Sequence, residues 1–347
     1  MKGIKFLVFT DLHADMIHDG VARMARIAET ARKENVDFVI QLGDLCYPEE
    51  AWLRTNSPRS LQVMAEKRPW SLGRDDEKRA IRSMLKEIGR PVYHVLGNHD
   101  LHVCDKETLC RYLGIPGPYY SFCEGGYRFL ALDTNLIRTR DGMLDMAYGN
   151  HGKYAEEQLK YLSGEQLEWL EDMLASSEEP CMLLSHVSLT DPLSGIHESE
   201  KLKAILKKQK SGKVILAMNG HGHVDGLRWI ERVPFWDVNS ASYHFLGERY
   251  SRIRYSRKLC EAYPRLRETA PYYDPLYAIA EIRSDAISIR GTFSWFVGPS
   301  PQEAGMPEEE NDYPPCAEIR DRVIPRAGWT DQGKNSNREE QSGERKD

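Results

Sequence analysis

Short apolar runs recur along the chain, and polar residues follow each of them at once. Runs of this length between chain-breaking residues are typical of strands that are buried on both faces of a sheet. The five runs are Ile4–Phe9 before "TDLH", Asp37–Leu42 before "GDLC", Val92–Leu96 before "GNHD", Cys181–Leu184 before "SHVS" and Val214–Met218 before "NGHGH". The pattern predicts strands whose carboxyl ends carry polar side chains.

Helical periodicity separates the predicted strands. Apolar residues recur at spacings of three and four over Val21–Glu34 and over Gly164–Leu174, which predicts amphipathic helices. Leu276–Trp295 instead alternates apolar and polar residues, which predicts a two-stranded antiparallel ribbon. The alternation of strands and helices predicts a layered α/β domain with its ligand-binding loops at the strand ends.

Three segments interrupt this order. A charged insertion is expected at about 49–80. An arginine- and tyrosine-rich segment follows at 244–275, and its part 248–267 is interpreted either as a lid over the site or, preferably, as a surface or oligomer contact. From residue 299 onward proline and charge dominate, so we predict a catalytic domain at 1–298 and a mostly disordered or loosely docked tail at 299–347. Trp329 and the "RVIP" segment are candidate anchors in that tail.

The composition narrows the class of protein. The chain has 347 residues, of which 41% are hydrophobic and 29% charged, and a net charge of -6. These values indicate a globular protein for which nucleic acid is an unfavoured partner. No apolar run approaches the ~18 residues of a membrane helix, so we expect no membrane association. The first predicted strand leaves no room for a signal peptide, and the seven cysteines form no C-x-x-C pair. We therefore expect a cytoplasmic protein with free thiols.

The polar residues after the predicted strands form a candidate set of metal ligands. Residues two apart at a strand end project to the same side, so Asp11 and His13 reach one point. The set consists of carboxylates, imidazoles and one amide: Asp11, His13, Asp44, Asn98, His186, His221 and His223. Each of these taken alone is most simply a hydrogen-bonded structural residue, but their joint occurrence in this order predicts a metal site. Oxygen and nitrogen donors without sulfur suit Mn, Fe, Zn or Ni.

At these positions the sequence resembles the calcineurin-like metallophosphoesterases. The ordered motif of that family stands here as Asp11-Leu12-His13, Gly43-Asp44, Gly97-Asn98-His99-Asp100, Ser185-His186 and Gly220-His221-Gly222-His223. The resemblance implies a four-layer αββα fold, in which two mixed β-sheets pack face to face as a sandwich flanked by helices. It also implies two divalent or trivalent transition-metal ions as cofactors, with Mn or Fe favoured.

The resemblance further implies a role for each motif residue. Asp11, His13 and His223 hold one ion, Asn98, His186 and His221 hold the other, and Asp44 bridges the two. A shared carboxylate offsets the repulsion of two cations that lie ~3.5–4 Å apart. His99 is expected to act catalytically as an imidazolium that stabilises the phosphate or protonates the departing oxygen. Asp100 is expected to orient His99.

The expected activity is hydrolysis of a phosphodiester or pyrophosphate bond in a small nucleotide-like substrate, by attack of a hydroxide that bridges the metals. The segments "LSGEQLEWLEDML" and "HVLGNHD" resemble the bacterial cyclic-nucleotide phosphodiesterases and the manganese-dependent ADP-ribose pyrophosphatases. Asn150 and His151 are candidate substrate contacts in the loop before that helix, the alternative being a solvated loop. Three other functions stay open: a phosphomonoesterase acting on proteins or small molecules, a nuclease, and a non-catalytic scaffold.

Overall fold

Alternation along the first strand sets the order of the layers. A computed structural model describes residues 3–307 and 313–326 of the chain. In the first strand Phe6 and Val8 belong to a core shared with a second sheet, whereas Leu7 and Phe9 belong to a core shared with helices. Because successive strand residues point to opposite faces of a sheet, both faces of this strand are covered by other elements.

The described residues form sixteen strands, numbered in chain order. They are β1 (Ile4–Phe9), β2 (Phe38–Gln41), β3 (Val92–His94), β4 (Tyr120–Glu124), β5 (Tyr127–Ala131), β6 (Leu136–Thr139), β7 (Gly142–Asp145), β8 (Cys181–Leu184), β9 (Val214–Asn219), β10 (Gly226–Ile230), β11 (Val233–Asp237), β12 (Tyr243–Phe245), β13 (Thr269–Pro271), β14 (Ala278–Ile282), β15 (Ala286–Arg290) and β16 (Arg322–Pro325).

Eight α-helices lie between these strands in the described part of the chain. They are α1 (Gly20–Lys33), α2 (Glu50–Asn56), α3 (Pro58–Lys67), α4 (Asp75–Glu87), α5 (Lys106–Leu113), α6 (Gly164–Ser176), α7 (Ser199–Lys208) and α8 (Arg257–Ala262). The two helices predicted from periodicity correspond to α1 and α6. None of the described helices combines the length and the apolar character needed to cross a membrane.

Twelve of the strands form two mixed sheets. In the first sheet the order is β16-β15-β14-β1-β2-β3, with β1, β2 and β3 parallel and the other pairs antiparallel. The second sheet has the order β10-β11-β9-β8-β5-β4, with its four central strands parallel. The predicted ribbon is confirmed as the antiparallel pair β14 and β15, in which Ile282 lies opposite Ile287.

The two sheets pack face to face, and helices cover their outer faces. The side chains of Phe6, Phe38 and Phe129 meet between the sheets, with 5.1 Å between the ring centroids of Phe6 and Phe38. Outside the first sheet lie α1 and α4, and outside the second lie α6 and α7. Burying one such large apolar side chain stabilises the fold by about 1.5–3 kcal/mol. The predicted four-layer αββα architecture is confirmed.

The insertion and the arginine- and tyrosine-rich segment pack against each other. The insertion at 49–80 folds into α2, α3 and the first turns of α4. The guanidinium of Arg74 in this insertion lies 3.6 Å from the ring centroid of Tyr263. Tyr255, in the arginine- and tyrosine-rich segment, contacts His18 in the loop after β1. This segment therefore borders the carboxyl end of the first strand, and so does the insertion, in which the hydroxyl of Ser71 donates to the carboxylate of Asp15.

The "RVIP" segment extends the first sheet. It forms β16, in which the buried Ile324 pairs with Ile287 of β15. The guanidinium of Arg322 also donates to the carboxylate of Asp225 with an Nη2–Oδ2 distance of 2.6 Å. This segment is therefore an edge strand of the first sheet, as the expectation that it anchors part of the tail requires. Trp329 lies outside the described residues.

Candidate active site

Seven predicted metal ligands converge where parallel strands of both sheets end. They come from the loops after β1, β2, β3, β8 and β9. Parallel strands place their carboxyl ends at one edge of a sheet, and the packed sheets bring two such edges together. The seven residues are Asp11, His13, Asp44, Asn98, His186, His221 and His223.

One group of side chains surrounds Asp11. Its carboxylate Oδ1 lies 3.2 Å from His223 Nε2 and 3.4 Å from His13 Nε2. The Nε2 atoms of His13 and His223 are 3.3 Å apart. These three side chains are buried and close enough for one cation to contact a ligand atom of each.

A second group surrounds His186. Its Nε2 atom lies 3.1 Å from the amide oxygen of Asn98 and 3.2 Å from Asp44 Oδ2. The imidazole of His221 packs edge-on against it, with 5.1 Å between ring centroids. Asp44 Oδ2 is also 3.5 Å from His13 Nε2 in the first group. Asp44 thus lies between the two groups.

Strained backbone marks the ligand positions. Five of the seven residues have positive φ angles, which are uncommon for residues other than glycine. The angles are 51° at Asp11, 47° at His13, 56° at Asp44, 67° at His221 and 51° at His223. Strain of this kind costs about 1–3 kcal/mol per residue and persists only where the surrounding structure imposes it. The fold therefore offsets a free-energy cost to direct these side chains toward one point.

Two motif glycines allow the loops to approach the carboxylates. A β-carbon at Gly97 would overlap the carboxylate and backbone nitrogen of Asp44. A β-carbon at Gly220 would overlap the hydroxyl of Thr10 and the carboxylate of Asp11. Because glycine lacks this atom, the loops after β3 and β9 can pack directly on the ligands from β1 and β2.

Hydrogen bonds from Nδ1 of two histidines determine that the Nε2 atoms of their rings face the cluster. His186 Nδ1 lies 2.8 Å from the carbonyl oxygen of Leu42, and His223 Nδ1 lies 2.7 Å from that of Tyr243. A carbonyl only accepts hydrogen bonds, so each Nδ1 carries a proton and donates it. When the ring is neutral, its Nε2 lone pair then faces the cluster, as in histidine ligands of metals.

The donor set fits a pair of transition-metal ions. Lone pairs of Nε2 atoms, carboxylates and an amide oxygen face one another at 3.1 to 3.3 Å. Acceptors this close repel each other unless a cation or a proton lies between them. Nitrogen and oxygen donors of this kind suit Mn, Fe, Zn or Ni. The residues present are therefore those that such ions require.

The pKa shifts of the buried side chains also show that positive charge is favoured in the cluster. Burial by itself would raise the pKa of Asp11, but the His223 and His13 rings hold that pKa well below its usual value. Burial by itself would lower the pKa of His186, yet the Asp44 carboxylate raises it to about 10. The buried carboxylates thus stabilise positive charge at this point, which bound cations would supply.

Comparison with known proteins agrees with this geometry. The family model of the calcineurin-like phosphoesterases matches residues 4–225. The chain belongs to this family. Its members depend on two metal ions and act on phosphoester bonds, which supports assignment of the chain as a hydrolase of such bonds.

Two similar proteins have more specific descriptions than the family as a whole. A probable cyclic nucleotide phosphodiesterase of Synechococcus sp. is 27% identical over 150 residues, which cover 41% of this chain and 50% of that protein. The chain thus matches half the length of this curated relative. A dimetal phosphatase of Danio rerio superimposes with a TM-score of 0.57 at 17% identity, over 85% of this chain and 98% of that one. The second similarity concerns the fold alone.

His99 of the phosphoesterase motif lies at the edge of the cluster. Its backbone N–H donates to Asp44 Oδ1 at 2.8 Å, and its ring packs edge-on against His13 with 4.7 Å between centroids. The Nδ1 atom is buried and has no hydrogen-bond partner in the described part of the chain. Burial lowers the pKa of His99 well below its usual value. Burial thus favours the neutral ring, and the role of His99 as an imidazolium stays a prediction.

The side chain of Asp100 contacts the backbone of two loops beside the site. Its Oδ2 atom accepts hydrogen bonds from the N–H groups of Asp44 at 2.9 Å and Gly97 at 3.0 Å. Its Oδ1 atom accepts from the N–H of Leu45 at 3.0 Å. A carboxylate satisfies backbone donors in tight loops in this way. Asp100 therefore ties the loop after β2 to the loop after β3, and a role for it in orienting His99 stays a prediction.

The two candidate substrate contacts differ in their surroundings. The side chain of Asn150 makes two hydrogen bonds in its own turn, since it accepts from the N–H of Ala147 and donates to the carbonyl of Asp145. Asn150 therefore helps to fix the loop, and its contact with a substrate stays a prediction. His151 lies beside the site, where its Nε2 is 3.0 Å from Nε2 of His102.

Sequence reasoning missed His102 and Tyr47. The ring of His102 lies 4.4 Å from that of His99, and its Nδ1 is 2.9 Å from the hydroxyl of Tyr47. Both residues are buried next to the cluster. The one available signal was the position of His102 three residues after His99, because a helical turn at that point places the two rings together.

Proposed function

We propose that this chain hydrolyses a phosphodiester or pyrophosphate bond of a small nucleotide-like substrate with the help of two metal ions. The observation that carries the proposal is the convergence of seven nitrogen and oxygen ligands around Asp44, with the free nitrogens of His186 and His223 directed inward. Membership of the calcineurin-like phosphoesterases supports the class of reaction.

The residues divide into two ligand groups that share one carboxylate. In the proposal, one ion is held by Asp11, His13, Asp44 and His223, and the other by Asp44, Asn98, His186 and His221. When bound, such ions supply an activated water near neutral pH and neutralise charge on the phosphoryl oxygens. Manganese or iron is the proposed metal, because the set contains carboxylate, amide and imidazole but no thiolate.

His99 is the proposed donor to the departing oxygen. Its ring lies at the edge of the cluster, next to His13, and its backbone is fixed by Asp44. A neutral imidazole still carries one N–H that it can donate. A bound phosphate anion would raise the pKa of this ring, because an opposite charge favours the protonated form. Substrate binding would thus prepare His99 to protonate the leaving group.

A diester or a pyrophosphate is the proposed substrate rather than a monoester. The support comes from the relative that is described as a probable cyclic nucleotide phosphodiesterase. The net charge of -6 does not favour a nuclease. All seven cysteines are free thiols, which supports the cytoplasm as the proposed location.

A small substrate panel tests the proposal. Metal-stripped protein is resupplied with Mn²⁺ and assayed on bis(p-nitrophenyl) phosphate, p-nitrophenyl phosphate, cyclic AMP and ADP-ribose. We expect metal-dependent cleavage of a diester or a pyrophosphate. Cleavage of the monoester alone would establish a phosphomonoesterase instead. No cleavage by protein that binds no metal would refute the proposal and favour a non-catalytic scaffold.

A further inference from the structure

A chain of hydrogen-bonded side chains lies beside His99 and includes none of the proposed metal ligands. Arg68 Nε lies 3.3 Å from the hydroxyl oxygen of Tyr47, which is 2.9 Å from His102 Nδ1. His102 Nε2 in turn lies 3.0 Å from His151 Nε2. The rings of His102 and His151 stack with 4.8 Å between centroids. We call these four residues the relay.

The hydroxyl of Tyr47 fixes the direction of the relay. Arg68 can only donate, so the Tyr47 oxygen accepts from it. Burial raises the pKa of Tyr47, so the hydroxyl keeps its proton. Among the described residues, His102 Nδ1 is the one acceptor within reach of that proton. Tyr47 therefore donates to His102.

The direction of this hydrogen bond determines which nitrogen of His102 and of His151 carries the proton. Burial lowers the pKa of both His102 and His151, so each ring carries a single proton. Since His102 Nδ1 accepts from Tyr47, the proton of His102 is on Nε2, which donates to His151 Nε2. The proton of His151 is then on Nδ1.

The relay ends in a buried donor that has no acceptor. His151 Nδ1 is buried without a hydrogen-bond partner in the described part of the chain. An unsatisfied buried donor is destabilising, and a bound acceptor would relieve that cost. Two cations from the end of α3 act on this ring: Lys67 donates to the carbonyl of Tyr148, three residues before His151, and the charges of Arg68 and Lys67 add to burial in lowering the pKa of His151. An anionic acceptor is therefore favoured here.

We propose that His151 Nδ1 donates a hydrogen bond to a phosphoryl oxygen of the bound substrate, and that Tyr47 and His102 are positioning residues that keep the proton on this nitrogen. The inference rests on the proposed function and adds a contact to the substrate outside the metal ligands. The ring of His151 stacks on that of His102, which in turn contacts the ring of His99. The contact therefore borders the proposed site of hydrolysis.

A double-mutant cycle tests the relay. The variants are Tyr47→Phe, His151→Phe and both together, with His197→Phe as a matched control, because His197 is exposed and stacks on Tyr161 outside the relay. Binding of inorganic phosphate to the Mn²⁺-loaded protein is measured by calorimetry. The kcat and KM for bis(p-nitrophenyl) phosphate, the metal content and the Tm are measured alongside. If Tyr47→Phe does not fold, His102→Phe replaces it.

We expect His151→Phe to weaken phosphate binding and to lower kcat/KM by about 10- to 100-fold, as for loss of a hydrogen bond to a charged group. Tyr47→Phe should cause a smaller loss, and the double variant should match His151→Phe, because Tyr47 acts only through His151. Metal content and the control should be unchanged. Phosphate binding that is unchanged in His151→Phe, or losses that multiply in the double variant, would overturn the inference.

If wild type binds phosphate but cleaves no ester, the proposed function fails, and the phosphate measurements still decide whether the relay contacts an anion. If wild type neither binds phosphate nor cleaves an ester, both are overturned.

Discussion

At the residue scale, the site depends on which nitrogen of each histidine is free. Backbone carbonyls of Leu42 and Tyr243 occupy Nδ1 of His186 and His223. The two rings therefore direct Nε2 to the cluster, and they do so before any ligand arrives. Preorganised ligands of this kind bind a cation without the cost of reorienting the side chains.

Replacement of His99 separates catalysis from metal binding. His99→Ala removes the imidazole but keeps the backbone N–H that donates to Asp44. We expect two metals to stay bound while kcat falls about 10²- to 10⁴-fold, as for loss of a general acid. The loss should be larger for a substrate with a poor leaving group than for a p-nitrophenyl ester, which needs little protonation. Metal analysis and steady-state kinetics on both substrates test this, and loss of both metals would contradict the assigned role.

Replacement of Asp44 should release both metals. Asp44→Asn keeps the size of the side chain but removes the charge that lies between His13 and His186. Two neighbouring cations then repel each other without a bridging anion. We expect stoichiometric Mn²⁺ binding and activity to be lost in equilibrium dialysis and in kinetic assays. Asp37→Asn, an exposed change before the other end of β2, is the control. Two tightly bound ions in Asp44→Asn would rule out a bridging carboxylate at this position.

At the element scale, loop packing at the strand ends determines how closely the ligands approach. Gly97 lies in the loop after β3. Because it has no β-carbon, it leaves room for the carboxylate of Asp44 from the loop after β2. Gly97→Ala should displace Asp44 and the Asp100 carboxylate that holds both loops. We expect activity and Mn²⁺ affinity to fall at least tenfold, about 1.4 kcal/mol of binding free energy. Gly152→Ala, with open space around its β-carbon, is the control. Full activity in Gly97→Ala would refute this packing argument.

The histidine at the end of β3 makes stability depend on pH. Burial lowers the pKa of His94 from 6.5 to about 4, so the folded protein binds this proton more weakly than the unfolded chain. His94 therefore has no effect above pH 6.5, and acidification from there to about pH 4 favours unfolding. Between pH 7.5 and 5 this amounts to about 2 kcal/mol. Urea unfolding of His94→Asn should show a pH-dependent loss that is smaller by this amount, and an unchanged loss would show that His94 does not titrate in this way.

The sequence predicts the position of the ligands well because each one directly follows a strand of a parallel sheet. Asp11, Asp44 and His186 are close in space for that reason alone, and the same topology predicts the layered fold. The relay of Arg68, Tyr47, His102 and His151 has no such pattern, because its members come from the insertion and from three separate loops. The sequence likewise gives no sign of the hydrogen bonds that Asp100 and Asn150 make to backbone groups, because these depend on how the loops fold.

At the scale of the whole molecule, two sheets serve one site. The first sheet supplies the loops after β1, β2 and β3, and the second supplies those after β8 and β9. Because the ligands come from both sheets, the packing of the core between the sheets fixes the distance between the two ligand groups. The C-terminal strands β14, β15 and β16 complete the first sheet. The site is therefore a property of the assembled domain and not of any single segment.

A titration of metal-stripped protein with Mn²⁺ tests the central claim most directly. Bound Mn²⁺ and the rate of bis(p-nitrophenyl) phosphate cleavage are measured on the same samples as equivalents of metal are added. We expect binding to saturate at two ions per chain and activity to reach its maximum at the same point. Two ions bound without any cleavage of a phosphoester, or full activity in the absence of bound metal, would contradict it.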